Sequence, residues 1–406
     1  MAVGLQDFPA IPEIDGVRIG VAEAGIKKPN KKDVVVFEVC EGASVASVFT
    51  QNAFCAAPVR ICRSHLAQAN ARYLLINTGN ANAGTGKSGV DNALKTCQAL
   101  AEHTGVSVES VLPFSTGVIG EPLPTDKIIA AIPAALSNLS AANWANAGLG
   151  IMTTDTLPKG ACREFDVAGK TYRIGGISKG AGMIRPNMAT MLGYVCTDVA
   201  ITPELLQQLL KKITDKSFNR ITVDSDTSTN DSCVVIATGK VGNPVIDSMG
   251  TPLAQAFELA FTEVMQELAH AIVRDGEGAT KFVTVEVVGA KQVEDATKTA
   301  FEIAHSPLVK TALFASDPNW GRILAVVGRA GVEGLDVDHV QLHINGFEIA
   351  RDGGRSPDYL EEHGVQAMAP QDIHIRVDLG MGDQADTVWT TDFSHEYVTI
   401  NAEYRT

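Results

Sequence analysis

The chain has 406 residues, 45% apolar and 20% charged, with a net charge of −14 and an isoelectric point near 5.1. That is too long for one ordinary core and fits two or three packed lobes of a globular protein. The acidic balance argues against nucleic acid as a partner, because that affinity comes mostly from neutralised phosphates.

In chain order, DVVVFEV (33–39) and RYLLIN (72–77) predict buried strands. NTGNANAGTGKSG (77–89) resembles a phosphate loop through Gly86-Lys87-Ser88, but the glycine required five positions before Gly86 is Ala81. A loop whose asparagines and glycines hold unusual backbone angles is the better expectation. Helical periodicity appears over 88–104, 125–137 and 203–216. It is clearest over 253–273, where Leu253, Phe257, Ala260, Val264, Leu268 and Ile272 share one face. DSDTSTNDS (224–232) lacks the glycine and closing glutamate of a calcium loop and reads as a polar loop bordering a cleft. Further strands are expected at 282–288, 340–345, 372–378 and 396–401. Strands and helices interleave without an even βαβ rhythm. The fold class is therefore α/β with mixed α+β layers, sheets covered by helices. The expected division follows GISKGAGMIRPNMATM, with both halves sharing a core.

Several chemistries are unsupported. No His-Glu-x-x-His or His-x-x-x-His metal motif on a helix occurs. His339 and His343 in HVQLH fall in a strand-like stretch, so no metal is expected. No G-x-S-x-G elbow is present. The seven cysteines (40, 55, 62, 97, 162, 196 and 233) form no CxxC and read as reduced thiols of a cytosolic protein. No apolar run approaches the roughly 20 residues of a membrane helix. MAVGLQDFPAIPEIDG has no basic or apolar signal region, so a cytoplasmic location without membrane association is expected.

Thr190 is the hydroxyl of interest, and no histidine lies between His103 and His270. One nucleophile class needs no separate base. If the Ala189–Thr190 bond is broken, the new α-amine lies beside its own hydroxyl. With a pKa of about 7.7–8.0 it is partly neutral near physiological pH and can take the hydroxyl proton. Attack of Thr190 Oγ on the small Ala189 carbonyl would give an ester that water hydrolyses.

KGAGMIRPNMATML (179–192) closely resembles the signature of the ornithine acetyltransferases, or glutamate N-acetyltransferases, of arginine biosynthesis. The likeness runs through FTQNAFCAAPV (49–59), INTGNANAGTG (76–86), LPFSTGVIGEPLP (112–124), IMTTDT (151–156), VDSDTSTNDS (223–232), IVRDGEGATKF (272–282), FASDPNWGRIL (314–324) and NAEYRT (401–406). The resemblance implies a sandwich like that of N-terminal-nucleophile aminopeptidases. It implies self-cleavage between Ala189 and Thr190 into an α chain (1–189) and a β chain (190–406), held as an α2β2 heterotetramer. The implied reaction passes acetyl from N2-acetylornithine to glutamate by ping-pong through acetyl-Thr190, without a cofactor; some members also accept acetyl-CoA as a substrate. Thr116 and Gly117 are implied as the oxyanion hole. Thr156, Lys179, Thr190, Glu277, Asn401 and Thr406 are implied as the substrate-binding set, with Thr153 and Thr154 as alternatives to Thr156. The competing reading is a self-cleaving aminopeptidase or amidase that passes the acyl group to water.

Overall fold

The computed structural model describes residues 2–185 and 191–404. Ala189, Thr190 and Thr406 lie outside the described residues.

Three sheets organise the described residues. The first has the order Val17–Ala22, Val34–Val39, Tyr73–Asn80, Val111–Val118. Its last pair is parallel and the others antiparallel. The second has the order Ser44–Phe49, Ser232–Ala237, Leu192–Thr197, Lys170–Lys179, Lys159–Val167.

Side-chain alternation explains how these two sheets stack. Along Val34–Val39, Val35, Phe37 and Val39 enter one core while Val34 and Val36 enter another. The first of these cores also receives Leu192, Tyr194, Cys196, Val234 and Ile236 of the second sheet, so the two sheets pack face to face. Phe37, Phe114 and Tyr194 meet in its centre, with ring centroids 5.3 Å apart for each contact to Tyr194. Helices Gly86–Thr104 and Thr125–Ser137 cover the outer face of the first sheet. Helices Pro203–Thr214 and Pro252–Arg274 cover the outer face of the second, where Val195, Cys233 and Val235 point. The result is a helix–sheet–sheet–helix sandwich, as expected of sheets that each bury two apolar faces.

The second sheet takes strands from both sides of position 189. Leu192–Thr197 pairs antiparallel with Lys170–Lys179 and parallel with Ser232–Ala237. A third, six-stranded sheet is built wholly from residues 282–391, in the order Gly354–Arg355, Phe347–Arg351, Gln341–Ile344, Asp372–Asp378, Phe282–Ala290, Gln384–Thr391. It has a core of its own with helices Val293–His305, Pro307–Phe314 and Trp320–Arg329.

The helices expected at 88–104, 125–137, 203–216 and 253–273 are present within two residues at each end. The strand expected at 396–401 is instead the helix His395–Ala402. Its run of β-branched residues misled. Phe393 and Tyr397, four residues apart, stack at 4.9 Å, and the Thr399 hydroxyl donates to the His395 carbonyl at 3.3 Å. His343 lies in a strand as expected and His339 in a short 3₁₀ turn. All seven cysteines are unpaired. Among the described residues no helix is long and apolar enough to cross a membrane, and no group of three or more metal-ligating side chains occurs.

Candidate active site

The site grows from the ends of two parallel strands. Tyr73–Asn80 and Val111–Val118 run in register with Thr78 opposite Thr116 and Gly79 opposite Gly117, and a bulge follows at Asn80. Gly117 has φ +135°, and a Cβ there would sit 2.3 Å from the Gly79 carbonyl carbon. Only glycine permits this approach. The loop after Asn80 carries left-handed residues at Asn82 (φ 49°), Gly84 (φ 69°) and Gly86 (φ 59°), so its asparagines and glycines serve backbone geometry. The Asn82 side chain accepts from the Thr85 hydroxyl at 2.9 Å and donates to the Gly89 carbonyl at 2.9 Å.

Asn230, at the end of the 224–232 loop, ties the two halves of the chain together. Its amide donates to the Ala81 carbonyl at 2.5 Å and the Ser115 carbonyl at 2.9 Å. That loop does border a cleft: Ser228, Thr229 and Asn230 line a cavity of about 270 Å³.

The same cavity gathers side chains distant in sequence. Thr116, Gly117, Thr153, Thr154, Lys179, Glu277, Asn401 and Tyr404 all line it. Lys179, at the end of its strand, donates from Nζ to Thr116 Oγ1 at 3.0 Å and Thr153 Oγ1 at 3.3 Å. Burial lowers its pKa, while the nearby Asp155 and Asp231 carboxylates hold it up. Glu277 follows the long helix and is pinned by its N–H to the Ala181 carbonyl at 2.9 Å. Its carboxylate accepts from the Asn401 amide at 2.7 Å. Burial raises the Glu277 pKa, against hydrogen bonds from Thr154 and Asn401 that favour the charged form. The cavity thus offers a cation at one point and a carboxylate at another, the complement of an amino acid's own charges. No histidine lines it.

Thr156 sits elsewhere. Its N–H reaches Asp275 at 2.9 Å, and its hydroxyl also donates to Asp275. This ties the exposed Thr156 to the buried Asp275, and Thr153 and Thr154 are the threonines of IMTTDT that face the cavity. A turn register fixed by a carboxylate 119 residues away leaves no mark in the local sequence.

The described chain resumes at Met191. Its carbonyl accepts from the Ser232 N–H at 2.9 Å, and Leu192 pairs with Lys179 across the sheet. A small pocket here is lined by Thr116, Lys179, Met191 and Asp231. Asp231 was not singled out from sequence. It is buried, and among the described residues one of its carboxylate oxygens has no hydrogen-bond partner. Burial raises its pKa well above the carboxylate range, against the Ser228 side chain, Lys179 and the Met191 N–H. Its place in the acidic, polar DSDTSTNDS stretch was the available signal.

Gly182 was also missed. A Cβ there would lie 2.4 Å from the Glu277 carboxyl. Gly182→Ala is therefore expected to displace that carboxylate and weaken binding of a ligand whose cationic group meets it by about tenfold or more, measured by titration calorimetry.

Comparison with known proteins shows the family. The ArgJ family model matches residues 18–406. The "Arginine biosynthesis bifunctional protein ArgJ" of Pseudomonas syringae pv. tomato is 58% identical, and that of Pseudomonas fluorescens 56%, each over the whole of both chains. The solved arginine biosynthesis bifunctional protein argJ of Bacillus halodurans is 38% identical with a TM-score of 0.50; the match covers 99% of that chain and 52% of this one. With a family model spanning nearly its full length and relatives this similar, the chain belongs to the ArgJ family and is an acyltransferase of arginine biosynthesis.

Proposed function

We propose that the chain severs itself between Ala189 and Thr190 and that Thr190 then carries acetyl from N2-acetylornithine to glutamate. The observation that carries this reading is the convergence of Lys179, Glu277 and Asn401 on Thr116 and Gly117 in one cavity, beside the strand Leu192–Thr197 that begins two residues after Thr190. The half-length Bacillus halodurans chain, matched over nearly all its length, supports a polypeptide divided near its middle.

In the first half-reaction the Thr190 α-amine takes the hydroxyl proton as Oγ attacks the acetyl carbonyl. Thr116 and Gly117 stabilise the oxyanion, a contribution of about 10²–10³ in rate per donor. The amine returns the proton to the departing ornithine nitrogen. Glutamate then enters the same cavity, and its neutral amine takes the acetyl group from the ester. Lys179 pairs with the α-carboxylate common to both amino acids, and Glu277 with Asn401 meets the remaining polar groups. Thr406 completes the substrate contacts from the chain's end. Acetyl-CoA serves as a second donor, in keeping with the word bifunctional in the relatives' names. The reaction needs no metal or organic cofactor, and the two halves remain together as an α2β2 assembly in the cytoplasm.

The test is product partition. Incubated with N2-acetylornithine and glutamate, the enzyme is expected to yield N-acetylglutamate in stoichiometric balance with ornithine. A product dominated by free acetate would instead identify an amidase. N-acetylglutamate formed from acetyl-CoA and glutamate tests the second donor separately.

A further inference from the structure

A second cavity, of about 340 Å³, opens directly from the first. The two share Gly117, Val118, Thr153, Thr154 and Tyr404. Where the first ends in Lys179 and Glu277, the second ends in Lys27, Lys28 and Lys31. These come from IKKPNKKD (26–33), a basic run in a chain of net charge −14.

The run is held in shape. Both oxygens of the Asp33 carboxylate accept backbone N–H groups, from Ala24 and Ile26, at 2.6 Å each. Lys127 donates to the Gly25 carbonyl at 2.6 Å. Lys31 anchors on the Met152 carbonyl at 2.8 Å and Lys27 on the Tyr404 carbonyl at 3.0 Å. Burial lowers the Lys31 pKa; Asp155 and Asp33 favour its charged form, and the nearby Lys28 and Lys179 oppose it. Of the carboxylates on the lining, Asp33 is committed to backbone donors, and Glu403 lies on the C-terminal side.

We propose that this lysine-walled cavity is the docking site for the phosphate-bearing arm of acetyl-CoA. The inference rests on acetyl-CoA being a donor, as proposed above. A cavity of about 270 Å³ that fits an amino acid cannot hold the whole thioester, so its arm must extend beyond it, and the adjoining cavity shares Gly117 and Val118 with the first. The second cavity begins at Gly117 and ends at clustered ammonium groups, which suit phosphate oxygens. On an acidic protein a local positive mouth also draws a polyanion toward the site. The transfer balances: Thr190 Oγ bonds the acetyl carbon, the carbon–sulfur bond breaks, and the hydroxyl proton passes through the α-amine to give the free thiol.

The test compares acetyl-CoA with S-acetylpantetheine, which carries the same thioester without phosphates, using glutamate as acceptor. The parent enzyme is expected to prefer acetyl-CoA in kcat/KM. In Lys28→Glu, KM for acetyl-CoA is expected to rise about tenfold or more, while values for S-acetylpantetheine and N2-acetylornithine stay within about twofold. Lys28→Gln, which removes the charge with little change in shape, should give an intermediate rise. Adenosine 3′,5′-bisphosphate should compete with acetyl-CoA in the parent enzyme and lose potency in Lys28→Glu. Unchanged acetyl-CoA kinetics in both variants, with an active parent, would overturn this site and leave the second-donor reading standing. A parent enzyme inert with both thioesters would overturn the second-donor reading and this site with it.

Discussion

Thr190→Ala is expected to be recovered as one uncut 406-residue polypeptide, with acetyl transfer lower by about four to six orders of magnitude. The size of the effect follows from one atom serving twice. In the proposed reaction the Thr190 hydroxyl attacks the Ala189 carbonyl during processing and the acetyl carbonyl during turnover. The substitution removes it from both. No neighbouring base can restore the chemistry, because the atom lost is the nucleophile itself. Thr190→Ser keeps the oxygen and should still process. Intact-mass measurement of each purified variant reads the cut directly. A Thr190→Ala preparation that is cut at 189 and remains active would sink the mechanism.

Lys159→Met is expected to cost about 3–5 kcal/mol of stability, enough to lower the thermal midpoint by several degrees or more. Lys159 is buried, and its Nζ lies 2.7 Å from Asp155 and 2.6 Å from Asp275, both buried too. Asp155 also accepts from the Gly180 N–H at 2.7 Å and the Thr153 N–H at 2.9 Å. Asp275 accepts from the N–H groups of Thr156 at 2.9 Å and Leu157 at 3.3 Å. One lysine therefore balances two carboxylates that fix the 152–158 turn against the strand carrying Lys179 and the end of the long helix. Methionine fills the volume and leaves the negative charges uncompensated. The pH dependence separates this from a packing defect. In the parent, burial works to raise the Asp155 pKa, but Lys159, Lys179 and hydrogen bonds together hold it well below the carboxylate range. Its stabilisation is complete above about pH 4 and is lost only as the pH falls through that depressed value. In Lys159→Met the balance tips toward burial. Asp155 then binds protons more readily folded than unfolded, and stability should fall as the pH rises. Calorimetry across pH 4–8 checks this. A variant as stable as the parent at neutral pH would contradict it.

Much of the architecture was legible because it follows from periodicity. The 253–273 stripe and the apolar runs at 33–39 and 72–77 bury the faces their spacing dictates. The 396–401 segment was misread because Tyr397, Val398, Thr399 and Ile400 have strand propensity, and local ring and hydroxyl contacts override it. The third sheet's separate core could not be anticipated, since hydropathy does not say which strands share a sheet. Lys179, Glu277 and Asn401 came from resemblance to a family, and the fold brings them together across 222 residues of sequence to donate and accept within one cavity. Asp231 had only its place in an acidic, polar stretch to mark it, and Gly182 carries no local signature. The first matters through burial, the second through the room it leaves for a carboxylate.

The second sheet alternates its ancestry: Ser232–Ala237 and Leu192–Thr197 are flanked on both sides by strands from before position 189. With the proposed cut, the molecule becomes two interleaved polypeptides that first took shape as one. Before scission, denaturation and recovery concern a single molecule. Afterwards, recovery requires two strangers in dilute solution to find each other and thread strands between strands, so its yield would depend on concentration and fall away on dilution. Maturation thus acts as a ratchet: the working enzyme keeps a shape that its separated pieces have lost the easy route to regain.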